Sequence, residues 1–279
     1  MNSIDWLAYF RQNQLDRRGV AWHEGILLDP RLRGPLARSL ARFQLGESSD
    51  GARLLAAARR LSRKTGDEAY SEAIALFIAE EQEHSRLLAK VLELMKVPLL
   101  RRDWTDSLFR RCRHLLGFYE EISVLLMAEI VALKYYGVIR KGCRAPVLEI
   151  VCEQILADEK FHVRFHCEHL HEEIARRWWP VRLVCWLALS AMFAGASAVV
   201  AWDHRRAFTT LGGSTIDFLR DSWANFFAAR EAIFTGIPFA RDAADQIPAE
   251  TQDRPASDAH RRTRFWGRAF PSPSRLFPP

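Results

Sequence analysis

Hydrophobic residues recur every three or four positions along most of this chain. That spacing is typical of α-helices with one buried face. Turn-forming stretches at 65–67 and 142–146, and a proline at position 98, interrupt the pattern. No alternation with a period of two residues is sustained, so we expect an all-α fold without strands. The pattern predicts four long helices, over about 35–64, 67–96, 103–141 (with a break near Gly117) and 146–177.

Four long helices joined by short loops predict a four-helix bundle, which we assign to residues 35–177. Residues 1–34 are mixed in character, with loops at Pro30 and Gly34, and form an N-terminal extension. Residues 178–237 should form accessory helices that pack on the bundle or a membrane surface: an apolar fifth helix and a further helix over 215–235. Residues 238–279 are rich in Pro, Arg, Asp and Ser, which predicts a loosely ordered tail.

The apolar fifth helix allows two interpretations. Its segment from Leu183 to Trp202 carries no charged residue and is flanked by arginines on both sides. Such a segment is long enough to span a bilayer. Its Ala, Ser and Gly residues equally suit close packing against other helices. We favour a helix that is buried against the bundle or lies at a membrane surface over one that spans.

Composition narrows the class of protein. The 279 residues are 49% hydrophobic and carry a net charge of +6, so one large domain with a full core is feasible. The basic charge suits an acidic partner or a membrane surface, but no nucleic-acid-binding motif is visible, and we expect no nucleic acid partner. The five cysteines lack CxxC spacing, which indicates reduced thiols. The N-terminus lacks a signal peptide pattern, so we expect a cytoplasmic protein, with membrane association as an open addition.

One short pattern with the chemistry of a metal site occurs twice. Glu81 and His84 are three residues apart, and so are Glu159 and His162, which lie 78 residues further along. On a helix, residues at i and i+3 share a face. One ExxH pattern arises often by chance, whereas two copies on alternate predicted helices indicate that both belong to one functional site.

A further carboxylate precedes each copy in an otherwise apolar helical stripe. Glu129 lies in the segment 122–133, where no other residue is charged, and Glu47 shares a stripe with Leu40 and Phe43. A buried carboxylate is costly unless it is paired or bound to a metal ion. Glu47 precedes Glu81 by 34 residues and Glu129 precedes Glu159 by 30. Nearby Gly and Ser residues suggest that the helix around Glu47 is irregular.

Together these residues predict a two-metal site within the bundle, since a lone Glu on two helices and Glu-x-x-His on the other two is the pattern of such sites. Oxygen-rich ligands with one imidazole per metal favour iron or manganese over structural zinc. The expected ligands are Glu47, Glu81, His84, Glu129, Glu159 and His162.

Other polar residues of the stripes have supporting or surface positions. Gln44, Tyr136, Asp158 and His166 are candidates for contacts with the ligands or with bound water, and Asp158 suits the task of orienting an imidazole. We expect Glu80 and Glu83 at the sides of their helix or in solvent. Glu120, Glu121 and Glu153 should lie on solvated faces, with Glu121 as the alternative ligand if Glu129 is not one. No catalytic acid or base can be assigned.

The six ligand positions, and the local strings FQLGESSDG, FIAEEQEHSRLL, MAEIVALKYY and ILADEKFH, resemble the ferritin-like superfamily of two-iron carboxylate proteins. The resemblance covers about residues 35–177, and the strings look like one bacterial group without a settled activity. It implies a ferritin-like four-helix bundle that binds two iron ions, with Mn/Fe or Mn/Mn as alternatives. The superfamily includes ferritins, rubrerythrins, ribonucleotide reductase small subunits, desaturases and oxygenases, so fold is implied more strongly than chemistry.

The function that we expect is an O2-dependent oxidoreductase acting on an unidentified, hydrophobic organic substrate. No flavin or ferredoxin motif is visible, so electrons would come from a separate donor protein, and the chain would act alone or as a homodimer. The alternative within the superfamily is iron oxidation and storage, or peroxide detoxification, in a large oligomer. A metal-free helical adaptor is the third hypothesis.

Overall fold

The structure, a computed structural model, describes residues 1–105 and 118–239. Every regular element in these ranges is helical, which confirms the predicted all-α class. We number the helices α1 Ser3–Leu15, α2 Pro30–Glu47, α3 Ala52–Thr65, α4 Glu68–Leu94, α5 Phe118–Gly142, α6 Pro146–Ala175, α7 Trp179–Asp203, α8 Arg205–Thr210 and α9 Thr215–Thr235, and a short 3-10 helix covers Trp22–Glu24. The predicted break at Gly117 and nearly all of the predicted tail lie outside the described residues.

Helix α4 lies at the centre of the packing. It contacts α1, α2, α3 and α6, while α5 and α6 form the most extensive helix pair. Helix α9 packs on α5 and α6, and the buried side chains join into one continuous hydrophobic core. The burial of these apolar faces is the main stabilising contribution. Of the five cysteines, Cys143, Cys152, Cys167 and Cys185 lie in the described residues without a disulfide bond, and Cys112 lies outside them.

The first predicted long helix is in fact two helices. Helix α2 begins at Pro30, five residues earlier than predicted, because Asp29 caps it and proline suits the first helical position. It ends at Glu47, and α3 begins after Gly51, whose φ of 63° lies in the left-handed region. This break therefore places Glu47 at the C-terminal end of a helix instead of in its middle.

The N-terminal extension contains a helix that the sequence pattern did not reveal. Asn2 and Asp5 form a capping box at the start of α1, and Trp6 and Phe10 of this helix are buried in the core. The ring of Phe10 lies 5.3 Å from that of Phe165 in a T-shaped arrangement. Residues 1–34 are thus partly core, and the N-terminal helix comes close to the predicted site.

Within residues 1–105 and 118–239, two helices have the length and apolar composition of membrane spans. Helix α5 has a mean hydropathy of 1.8 and is 78% buried over its most apolar window, as expected for the core helix of a globular protein. Helix α7 has a mean hydropathy of 2.1, but only 17% of its window is buried. One face of α7 packs on the protein through Leu189, Phe193 and Ala201. Length and composition alone are weak evidence for membrane crossing.

Substitution of Gly51 by Ala should destabilise the fold. The new Cβ would be strained at positive φ and would lie 2.5 Å from Ile78 Cγ2. We expect a loss of about 1–3 kcal/mol in the free energy of unfolding, measured by urea denaturation. Gly46→Ala is the control, because an added Cβ there meets no atom within 4 Å. Equal stability of the two variants would contradict this account of the break.

Candidate metal centre

Four of the six predicted ligands form one compact cluster between α4 and α6. Glu81, His84, Glu159 and His162 each place a potential ligand atom within 4.8 Å of all the others. His162 Nδ1 lies 3.1 Å from Glu81 Oε1 and 3.7 Å from Glu159 Oε2. His84 Nδ1 lies 3.5 Å from Glu81 Oε1 and 3.6 Å from Glu159 Oε1. The two ExxH patterns therefore share one site.

Each histidine is held by a carboxylate of the opposite helix. His84 Nε2 donates to Asp158 Oδ2 at 2.9 Å, and His162 Nε2 donates to Glu80 Oε2 at the same distance. Asp158 directly precedes Glu159, just as Glu80 directly precedes Glu81. A carboxylate on one ring nitrogen fixes the ring and leaves the other nitrogen for a metal ion. Both Nδ1 atoms accordingly face the centre of the cluster.

The potential ligand atoms at the centre lack hydrogen-bond partners among the residues that the structure describes. Glu81 Oε1, both Glu159 oxygens and the Nδ1 atoms of His84 and His162 are buried without such a bond. Orphaned polar atoms are costly in a protein interior, and these all converge on one point. Carboxylate oxygens and imidazole nitrogens are suitable ligands for divalent iron or manganese. The residues present therefore fit a metal site.

Glu129 and Glu47 lie beside this cluster. Glu129 Oε2 lies 3.8 Å from His162 Nδ1, and its charge acts directly on Glu159. Glu47 interacts with Glu81 and accepts a hydrogen bond of 3.0 Å from the Tyr136 hydroxyl group. All six predicted ligands thus lie together, with four at the centre and two beside them.

Helix α1 supports the site from outside. The Asn13 amide donates to Glu80 Oε1 at 2.7 Å and to Asp158 Oδ1 at 2.8 Å. Arg17 is also close, 3.7 Å from Glu80 and 3.6 Å from Asp158. One side chain therefore bridges the two carboxylates that orient the histidines. We call the group of Asn13, Arg17, Glu80 and Asp158 the outer clasp.

Crowding of buried acids and imidazoles shifts their pKa values. Burial, and then the nearby Glu81 and Glu129 charges respectively, raise the pKa of Glu47 and Glu159. Burial alone would lower the pKa of His84, but the hydrogen bond with Asp158 and the nearby Glu81 carboxylate outweigh it and raise that pKa to about 10. Without a cation the cluster therefore retains protons that a metal ion would have to displace.

An apolar chamber adjoins the cluster. Its volume is about 460 Å³, within the range of cavities that hold organic ligands. Glu47, Glu81 and Glu129 form part of its wall, and most of the remaining wall is contributed by hydrophobic residues of α2, α4, α5 and α7. The Glu81 side chain is 17% exposed, whereas those of Glu159 and both histidines are fully buried. The cluster is thus open toward the chamber and closed elsewhere.

The remaining polar candidates have varied outcomes. Asp158 is hydrogen-bonded to the His84 imidazole, and Tyr136 is hydrogen-bonded to Glu47. Gln44 donates to Ser85 Oγ at 2.9 Å instead of to a ligand. His166 packs against Phe77 with its rings 4.8 Å apart, and burial lowers its pKa to about 3, so it serves as a neutral core residue.

Two glutamates were placed wrongly by the sequence interpretation. Glu80 is fully buried and binds His162, because α6 and α1 cover that side of α4. Glu121 is buried as well, where a solvated face was expected. Glu83 does lie at the side of its helix, paired with Arg86. A repeat of five residues, acid-Glu-x-x-His, would have identified Glu80 by analogy with Asp158.

No protein-family model, characterised protein or solved structure matches this chain.

Loss of the Asn13 amide should weaken metal binding. In Asn13→Ala, Glu80 and Asp158 lose their shared donor, so both histidines are held less firmly. We expect a decrease of about 10–100-fold in Mn(II) affinity, measured by competition with a chelator. Gln14→Ala is the matched control, since Gln14 is exposed on the same helix. Equal affinities in the two variants would show that the clasp does not position the ligands.

Metal affinity should increase with pH. Binding must displace protons from His84, whose pKa is raised to about 10, and from the glutamates with raised pKa. Release of one net proton makes the Mn(II) affinity rise about tenfold per pH unit between roughly pH 6 and 8. Chelator competition at several pH values, with proton release followed in weak buffer, measures this slope. Affinity that does not vary with pH would contradict the protonated metal-free site.

Proposed function

We propose that this chain is a ferritin-like protein that binds two metal ions, with iron as the best fit, and uses O2 to oxidise an organic substrate. The observation that carries the proposal is the buried centre at which both Nδ1 atoms and three carboxylate oxygens lack hydrogen-bond partners within the described part of the chain. The crossed support of each histidine by the opposite helix adds to it. The superfamily resemblance stated for residues 35–177 agrees with this chemistry.

Six side chains would hold the ions: Glu47, Glu81, His84, Glu129, Glu159 and His162. Iron ions bound there would supply the redox chemistry and the positions at which O2 binds. A separate protein would return the electrons. The protein's own contribution is to fix the imidazoles through Asp158 and Glu80 and to limit access of water through the apolar wall of the chamber.

The chamber distinguishes this proposal from iron storage. Storage needs a path for hydrated ions, and polar side chains would suit such a path. Here the open side of the cluster faces a mainly hydrophobic cavity of about 460 Å³. A cavity of this kind favours an organic molecule with a substantial apolar part. Oxidation of iron as the end point remains the second candidate.

Metal content and its dependence on single carboxylates provide the test. Protein from cells grown with added iron and manganese should contain about two metal ions per chain. Glu81→Gln should lower this content, whereas Glu83→Gln should leave it unchanged, because Glu83 pairs with Arg86 at the side of the same helix. Absence of bound metal, with no rise in melting temperature when iron or manganese is added, would reject the proposal.

Size and O2 consumption separate the two candidate functions. An oxidoreductase should elute as a monomer or small oligomer, and its iron-loaded form should consume O2 in proportion to substrate when a reductant is present. A storage protein should form a large assembly and oxidise added Fe(II) without any organic substrate. The second pattern would replace the proposed oxidoreductase with iron storage.

A further inference from the structure

Helix α7 presents an uncovered apolar face. Val184 and Leu187 are 64% and 53% exposed, and the stripe continues through small residues to Trp202 at 65%. The opposite face is buried against the protein. Contiguous exposed apolar surface is unusual in a soluble monomer and marks a binding surface. We call the stripe Leu183, Val184, Leu187, Ala188, Ala191, Ala194, Gly195, Ala198 and Trp202 the α7 face.

The ends of this face have the chemistry of a membrane interface. Trp178 and Trp179 are exposed at its beginning, and Trp202 is exposed at its end. Arginines follow the same arrangement, at 176 and 177 before the helix and at 205 and 206 after it. Tryptophan prefers the headgroup region, and arginine is attracted to anionic lipids. This complementarity identifies an anionic bilayer as the partner that suits the face.

The packing of α7 determines the orientation in which this helix would bind a bilayer. Its buried residues contact α5 and α9, which belong to the main body of the protein. A helix attached along one side cannot cross the membrane without taking charged neighbours with it. The geometry therefore fits a helix that lies in the plane of the interface, with its free face in the lipid.

The apolar chamber and the α7 face share residues. Ala191 and Gly195 are exposed on the face and also form part of the chamber wall. From there the wall continues through Met192 and Val199 to residues of α5. The carboxylates Glu47, Glu81 and Glu129 line the same chamber. One mainly hydrophobic cavity thus borders both the surface that suits lipid and the site that suits oxidation.

We propose that the α7 face docks on an anionic bilayer and that the chamber takes up the hydrocarbon chain of a membrane-dissolved substrate beside Ala191 and Gly195. This names the substrate class for the proposed oxidoreductase, and only the oxidation of that chain rests on the proposed function. Docking and uptake of the chain depend on apolar area and charge and need no metal ion.

A second copy of this chain is the other occupant that the small residues of the face would fit, because Ala and Gly allow close helix packing. Two copies joined along this face would bring their flanking arginines near one another, which is unfavourable. Lipid headgroups of opposite charge remove that conflict. The bilayer is therefore the better partner.

Docking is tested with metal-free protein and sedimenting vesicles of phosphatidylcholine containing roughly one-third phosphatidylglycerol. Wild type should co-sediment, and Val184→Asp with Leu187→Asp should reduce the bound fraction about tenfold or more, since two apolar side chains lose their burial in lipid. Leu27→Asp is the control, because Leu27 is 90% exposed but lies outside α7. Docking would be disproved if the double variant and the control bound vesicles equally. It would also be disproved if the wild type formed a dimer in solution and did not bind vesicles.

Uptake of a hydrocarbon chain is tested by competition in the chamber between 1-dodecanol and the fluorescent apolar probe 1-aminoanthracene. We expect 1-dodecanol to displace the probe from the wild-type protein. Gly195→Phe should abolish displacement, because the new ring would fill the part of the chamber beside the α7 face. The fold should persist, since an added Cβ at Gly195 meets no atom within 4 Å. Ala198→Phe is the matched control, exposed on the same face but absent from the chamber wall. Dodecanol binding that survives Gly195→Phe, or that wild type lacks, would overturn the proposed route.

These results are independent of the metal analysis. A protein that binds vesicles and dodecanol but no metal would disprove the oxidoreductase and leave the lipid-facing chamber standing. A protein that binds two metal ions but neither vesicles nor dodecanol would disprove the membrane route alone. His84→Ala, measured in both assays, should lose metal and keep dodecanol, because His84 is not part of the chamber wall.

Discussion

The crossed histidine–carboxylate pairs are the constraint on which the rest of the structure depends. His84 relies on Asp158 and His162 relies on Glu80, so each of the two central helices completes the other's half of the site. Charged groups in a protein interior are tolerated when they are paired and hydrogen-bonded, and removal of one partner leaves a costly charge behind. The pairs therefore fix α4 and α6 in register. The outer clasp and the open chamber both follow from that fixed register.

The candidate ligands could be predicted because the constraint on them is local. A Glu and a His three residues apart share a helix face in any helical fold. Glu129 stands alone among apolar residues, and a buried carboxylate needs a polar partner or a metal ion nearby. Glu80 could not be assigned in the same way. Glu80 lies about 100° around the helix from Glu81. Whether that side of the helix is exposed to solvent or buried therefore depends on the neighbouring helices. Here α6 and α1 cover it.

Tertiary packing also decided the features of the fold that the pattern missed. Helix α1 is short and buries few residues, and it is stabilised by docking on α4. The hydrophobic periodicity of the sequence does not reveal such a tertiary contact. The weak helix formers near Gly51 were visible in the sequence, but a complete break required the left-handed backbone at that glycine. Apolar composition identified α7, whereas the choice of its free face depended on where α5 and α9 lie.

The break after α2 has a consequence for how the site can move. Glu47 is the last residue of its helix, whereas the other five candidate ligands are held in the middle of long helices. The negative end of the helix dipole opposes its ionisation there, and only the adjacent turn must shift when its carboxylate changes position. If the site binds a metal ion as proposed, Glu47 is therefore the candidate ligand that can change its coordination while the two central helices stay still.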